Sequence, residues 1–264
     1  MEPMKQKINT FSNPTTLLHR YVYFDLHDYR KTIFVAGCAR SGTTWLQEII
    51  NYDNKNRTMF EPFHPKKVNC IRDWKYFQYI RNGNESSKFM EPMTQIVSGK
   101  LRNNWVDRFN KRIISKTRII KAIHANLFLN WMKNYFPEIP IILIIRHPCA
   151  VANSKINIAK NFFRNTINPL ERFFEQSELM EDFLNPYEDH IRKAKTNFEE
   201  YIYMWCIENY VPLKQFHPGE IYITFYENLC ENSQEEIMKI FSFLGKSFSP
   251  DVMEQIIKPS LMSR

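Results

Sequence analysis

Four runs of β-branched and aliphatic residues punctuate this chain, each of strand length: residues 32–36, 118–123, 139–145 and 220–225. The third, I-P-I-I-L-I-I, is apolar throughout, as in a strand covered on both faces. Helical patterns separate the runs. Residues 43–52 place Leu46, Ile49 and Ile50 on one face of an amphipathic helix, and Asn126 can cap a helix that stops before Pro137. Pro148 suits the first turn of a helix running toward Lys160. Residues 190–216 read as one long helix carrying Phe198, Ile202, Trp205, Ile207 and Tyr210. Ser233 and Glu236 read as the capping box of a helix that ends at Gly245. Strands alternating with helices predict an α/β fold with a central parallel sheet flanked by helices, whose post-strand loops form the ligand rim. Residues 64–117 and 161–189 have no clean period, and read either as insertions shaping a substrate pocket or as ordinary peripheral helices.

At 264 residues the chain is expected to be a single domain with its own core, preceded by an arm over residues 1–30. Lys plus Arg (36) exceed Asp plus Glu (28), giving a net charge of +8. That balance suits an enzyme of polyanionic ligands or a nucleic-acid binder, but the basic residues are dispersed, so no nucleic-acid partner is expected. Cys38, Cys70, Cys149, Cys206 and Cys230 are odd in number and never spaced C-x-x-C. They predict neither a disulfide framework nor a zinc site and fit a reducing compartment. With no secretory h-region and no apolar stretch of membrane length, a cytoplasmic protein is expected. Asn56 and Asn84 begin N-x-[ST] triplets, read as chance matches in such a chain.

The chemistry concentrates in T-I-F-V-A-G-C-A-R-S-G-T-T-W, residues 32–45. A buried-type strand, a small-residue turn and a helix start aim free backbone N–H groups and a positive dipole end at one point, where an anion belongs. Gly37 and Gly42 keep the G-x-x-x-x-G spacing of a Walker loop, but Thr43 stands where its Lys would be, and the cation is Arg40, inside the loop. The ligand is therefore expected to be an anion other than a magnesium-bound triphosphate. A second anion site follows the third run, where Arg146 is followed by Pro148 and, eight residues on, by Ser154. A guanidinium fork matches phosphate oxygens. One nucleotide with phosphates at two places explains both, on a P-loop-NTPase-like three-layer fold.

These stretches resemble the sulfotransferases that use 3′-phosphoadenosine 5′-phosphosulfate (PAPS). A-R-S-G-T-T-W-L is similar to the family's 5′-phosphosulfate loop, and I-I-R-H-P followed by Ser154 to its 3′-phosphate element. R-I-I-K-A-I-H and I-T-F-Y-E-N-L, with the F-S-F-L-G helix, extend the likeness to about half of the chain. The resemblance implies that Arg40, Ser41, Gly42, Thr43 and Thr44 wrap the 5′-phosphosulfate, and that Trp45 lies beside the adenine. It implies further that Arg146 and Ser154 take the 3′-phosphate, and that Lys121 sits at the transferring group. PAPS is then the cosubstrate, no metal is required, and 3′-phosphoadenosine 5′-phosphate (PAP) is released. The acceptor would be a hydroxyl or amine of a carbohydrate, lipid or small metabolite, and the chain a PAPS-dependent sulfotransferase.

Two residues compete for general base. Glu61, in M-F-E-P-F-H-P, resembles the F-E-P element of carbohydrate-type members; His124 follows Lys121 by three rather than the two residues of cytosolic members. In a continuing strand that offset turns His124 to the other face, so Glu61 is favoured, with His64 third. The competing role for Glu61 is an ion pair to Arg40 that orders the loop. The C-terminal R-K-G-x-x-G-D-W-K of cytosolic members has no counterpart, so a segment closing over the nucleotide is expected to be missing. Phe60, Phe63, Trp74, Phe77, Trp105, Phe162, Phe163, Phe173 and Phe174 suit an apolar or sugar-stacking pocket or simply a core. The rival readings are a P-loop nucleotide kinase, which lacks its lysine here, a non-catalytic nucleotide- or nucleic-acid-binding protein, and a sulfotransferase-like protein without turnover.

Overall fold

The computed structural model of the chain describes residues 23–160 and 169–258. Five strands form the main sheet: β1 (Thr32–Gly37), β2 (Arg57–Phe60), β3 (Arg118–Ala122), β4 (Ile141–Ile145) and β5 (Tyr222–Phe225). Their order is β2-β3-β1-β4-β5 and every pairing is parallel. Val35 lies opposite Lys121 and Ile142, and Phe60 also lies opposite Lys121, so the carboxyl ends of three strands converge on that lysine. A separate two-residue pair joins Phe24–Asp25 to Ile114–Ser115.

Alternation along the strands splits the core between two faces. Phe34, Ala36, Met59, Ile120, Ile141 and Leu143 pack with helices α2 (Ser87–Val97) and α3 (Leu129–Tyr135). On the opposite face, Ile33, Val35, Ile119, Ile142 and Ile144 pack with α1 (Thr43–Ile50), through Leu46, Ile49 and Ile50. Three helices near the C-terminus, α6 (Tyr226–Glu231), α7 (Ser233–Phe243) and α8 (Val252–Ile257), contribute to the same layer. The remaining long helices, α4 (Pro148–Lys160) and α5 (Asn197–Gln215), pack on one another beside the sheet. The three-layer α/β expectation therefore holds.

The structure departs from the sequence reading at several elements. β2 is a fifth strand that the hydrophobic pattern did not indicate, because it opens with Arg57. That side chain is fully buried, donating to Asp107 Oδ1 at 2.9 and 3.0 Å and to Asp25 Oδ2 at 3.1 Å. Asn126 lies in a 3₁₀ turn and caps nothing; its amide donates instead to the carbonyl of Glu208 at 3.0 Å. The long helix starts at Asn197 rather than His190, because Thr196 and Glu199 form a true capping box there. Ser233 is not an N-cap: its hydroxyl donates back to Leu229 O at 2.6 Å. The Glu236 carboxylate is taken by Thr224 Oγ1 at 2.7 Å and Tyr222 Oη at 3.1 Å. Gly245 does end α7, at φ +61°, with Lys246 N donating to Phe241 O at 2.8 Å.

The aromatic residues divide. Phe60, Phe63, Trp74, Phe77 and Phe173 are buried, and Trp105 packs at the edge of the core, whereas Phe162 and Phe163 lie outside the described residues. Asn56 is buried and bonded to Asn51 Oδ1 and Thr117 Oγ1, which withdraws it from glycosylation in the folded chain. Among the described residues no helix is long and apolar enough to cross a membrane.

Candidate active site

The loop between β1 and α1 forms the floor of a cavity of about 490 Å³ at the carboxyl edge of the sheet. Its two glycines are needed for different reasons. A Cβ on Gly37 would lie 2.6 Å from the Ile144 carbonyl oxygen and 2.7 Å from Ser41 Oγ. Gly42 has φ +98°, and a Cβ there would meet the Tyr226 ring at 2.6 Å. Between them Arg40 is also left-handed, at φ +76°, and Ser41 Oγ closes the turn by donating to Cys38 O at 2.7 Å. Because Gly42 is the N-cap of α1, no side chain satisfies the first-turn N–H groups, which meet the cavity beside Thr43, Thr44 and Trp45. The strand, small-residue turn and helix start thus lie together as the sequence pattern predicted.

The second predicted anion element interlocks with the first. Arg146, at the end of β4, donates from Nη1 to the Arg40 carbonyl at 3.2 Å. Its guanidinium lies 4.3 Å from the Tyr226 ring centroid, and its buried Nε has no partner among the described residues. Trp205 Nε1 braces the strand end by donating to Arg146 O at 2.9 Å. Ser154 meets the loop rather than the cavity: its hydroxyl accepts from Arg40 Nε at 2.9 Å. Ser41 is likewise buried and internal to the loop.

On the opposite wall, Lys121 Nζ donates to Glu61 Oε1 at 2.5 Å. Both side chains are nearly buried, and both line the cavity. Burial pushes the Lys121 ammonium below its usual range, and the Glu61 carboxylate opposes that shift. The ion-pair partner of Glu61 is thus Lys121, not Arg40. Glu61 immediately follows β2, donates its N–H to Lys121 O at 2.8 Å, and is held at φ +46°, a sparsely populated conformation for a glutamate.

His124 is placed elsewhere. β3 ends at Ala122, so the strand does not carry His124, and the cavity is lined by Ile123 instead. The His124 ring contacts Phe77, Tyr76 and His64 at centroid distances of 4.8, 5.3 and 6.0 Å. Burial pushes its pKa down to about 3, which leaves it neutral and weakly basic at pH 7.

Eight of the predicted residues therefore share one cavity: Arg40, Gly42, Thr43, Thr44, Trp45, Glu61, Lys121 and Arg146. Ser41 and Ser154 support it from behind, and His124 lies apart. Sequence reasoning missed Tyr226, which contacts Gly42, Trp45 and Arg146 together. The signal was present, since Tyr226 follows β5 directly, at the same carboxyl edge as the other site residues. It also missed Ile256, Ile257 and Lys258, which line the same cavity.

The family described as sulfotransferase domain matches residues 30–263. The chain is 22% identical over 251 residues to sulfotransferase 1B1 of Canis lupus familiaris, covering 95% of this chain and 69% of that protein. It is 26% identical over 233 residues to an uncharacterized protein of Aquifex aeolicus, covering 86% of this chain and 27% of that one. Among solved structures it is similar to sulfotransferase STF9 from Mycobacterium avium, at 10% identity and a TM-score of 0.49, covering 87% and 67% of the two chains. It is also similar to mouse sulfotransferase SULT7A1 complexed with PAP, at 15% identity and a TM-score of 0.41, covering 93% and 68%.

Proposed function

The chain belongs to the sulfotransferase domain family, and on that premise we propose that it moves a sulfuryl group from PAPS to an acceptor hydroxyl or amine, releasing PAP. The observation that carries the reading is the interlock of Arg40 and Arg146 around a loop whose helix-start N–H groups have no side-chain cap. Two anion-binding elements on one cavity suit a nucleotide with phosphates at two positions. The cavity fits such a ligand in kind: an α1 start with no side-chain cap, a buried Arg146 Nε without a partner among the described residues, and Trp45 and Tyr226 as aromatic surfaces.

PAPS supplies an activated sulfuryl group on a 5′-phosphate. In this reading Arg40, Thr43, Thr44 and the amides of the α1 start hold that phosphosulfate, while Arg146 takes the 3′-phosphate and Ser154 holds Arg40 in place. Trp45 lies beside the adenine. Sulfuryl transfer has the demands of phosphoryl transfer: in-line positioning and stabilisation of charge on the leaving oxygen. Lys121 and Arg40 supply that charge without requiring a metal.

Glu61 is the general base. Its carboxylate lines the cavity and pairs with Lys121, so it is placed to accept the acceptor's proton as the new S–O bond forms and the bond to the 5′-phosphate breaks. His124 fits the role less well, because its ring is enclosed by Phe77, Tyr76 and His64. The whole chain acts as a single domain in this account, in a soluble, cytoplasmic setting. The decisive test is transfer of label from sulfur-labelled PAPS to an acceptor panel. Label transfer that requires Lys121 and Glu61 supports the reading, and phosphoryl transfer from ATP in its place overturns it.

A further inference from the structure

A second cavity, of about 620 Å³, opens beside the first, and its chemistry is unlike that of the nucleotide site. The half-buried Tyr76 is its aromatic surface, backed by Trp74, which is packed into the core. Lys66, Arg72 and Lys75 come to its rim from one segment and Arg172 from another, more distant in sequence, while Glu175 is the one carboxylate among the lining residues. Little in the described structure neutralises this charge. Arg72 meets Asp73 only at 3.7 Å, with both side chains more than three-quarters exposed. Lys75 Nζ donates to the Glu175 carbonyl at 2.5 Å, a neutral acceptor, and the Arg172 guanidinium lies 5.1 Å from the Tyr76 ring centroid. Four cations drawn from separate segments onto one concavity repel one another unless an anion joins them.

The cleft adjoins the reacting end of the nucleotide cavity. Glu61 lines the first cavity and Pro65, four residues later, the second. The wall between them is His64, whose Nδ1 lies 3.5 Å from Tyr76 Oη, together with His124, in ring contact with both. An acceptor whose hydroxyl reaches Glu61 past this wall would extend its other end past Tyr76 toward the cations.

Resting on the PAPS reading above, we infer that the acceptor carries an anionic group on a ring scaffold. The ring packs beside Tyr76, and the anion is read by Arg72 and Arg172 with Lys66 and Lys75. This selects acidic acceptors over neutral ones of the same shape.

The test compares para-nitrophenyl β-glucuronide with para-nitrophenyl β-glucoside, which differ only at C6, a carboxylate in the first and a neutral hydroxymethyl in the second. Each is titrated by calorimetry at low salt into the protein, with and without saturating PAP. The glucuronide is expected to bind about tenfold more tightly. In the Arg72→Glu/Arg172→Glu double variant the preference should vanish while PAP affinity stays at the parent value, which also shows that the variant is folded. A glucoside 6-phosphate probe, run alongside, tells a carboxylate reader from a phosphate reader. Equal binding of the two glycosides, no measurable glucuronide binding, or a preference that survives charge reversal overturns the inference. Failure of the parent protein to bind PAP would instead refute the nucleotide assignment, and the titrations without PAP still decide the acceptor question.

Discussion

Replacing Glu61 by Gln separates a catalytic carboxylate from a merely structural one. The side chain keeps its size, and Gln Oε1 can still accept from Lys121 Nζ, which lies 2.5 Å from the carboxylate in the parent. What disappears is the negative charge. Removing one member of a buried pair costs about 3–5 kcal/mol when the other is left uncompensated. The retained hydrogen bond offsets part of this, so the expected loss of stability is about 2 kcal/mol. Loss of a general base lowers turnover by about 10²- to 10⁴-fold, or about 3–5 kcal/mol of activation free energy. PAP affinity should change by no more than about threefold, because the α1 start, Arg40 and Arg146 are untouched. The assay pairs single-turnover transfer from labelled PAPS with PAP calorimetry and a thermal melt of the same preparation. A fall in rate of less than tenfold, or PAP affinity falling in step with the rate, would refute the assignment and leave Glu61 as the structural partner of Lys121.

Arg146→Ala should weaken PAP binding by about 10- to 150-fold, the worth of a charge-assisted hydrogen bond, while changing adenosine 5′-phosphate binding by no more than about threefold. Equal losses in parallel calorimetric titrations would disprove the 3′-phosphate contact. Gly42→Ala drives a Cβ to 2.6 Å from the Tyr226 ring at a positive φ and should lower both melting temperature and PAP affinity. Gly83→Ala, at φ +78° with open space around it, should lower only the melting temperature, by less. His124 also makes stability depend on pH. Its folded pKa of about 3 lies below the unfolded value of 6.5, so the unfolded chain takes up the proton first, and stability falls as pH drops below about 6.5. At pH 5 that loss is about 2 kcal/mol relative to pH 7.5, and denaturant titrations of His124→Phe should show it removed.

The parts of the fold visible in the sequence were those set by local pattern. β4 is covered on both faces and reads as an unbroken apolar run, and the β1–α1 loop depends on Gly37, Gly42 and an adjacent helix start, all within a few residues. What stayed hidden depends on partners far along the chain. Arg57 made β2 look polar, and its burial depends on Asp25, Asp107, Tyr23 Oη and the carbonyls of Gly99 and Leu101. Glu236 fitted a capping box by spacing, but Thr224 and Tyr222 claim its carboxylate. The start of α5 was legible, since Thr196 and Glu199 have the capping-box spacing, yet the helical pattern running on from His190 obscured it. Glu61 and Lys121 were each singled out from sequence. Their pairing lay beyond it, because 60 residues separate them and it is the β2–β3 register that aligns them.

The most direct test of the central claim is calorimetric binding of PAP, with ADP plus magnesium as competitor. Tight, magnesium-independent binding of PAP is expected, and Arg146→Ala should abolish or severely weaken it. Preference for ADP with magnesium, or PAP binding indifferent to Arg146, would contradict it.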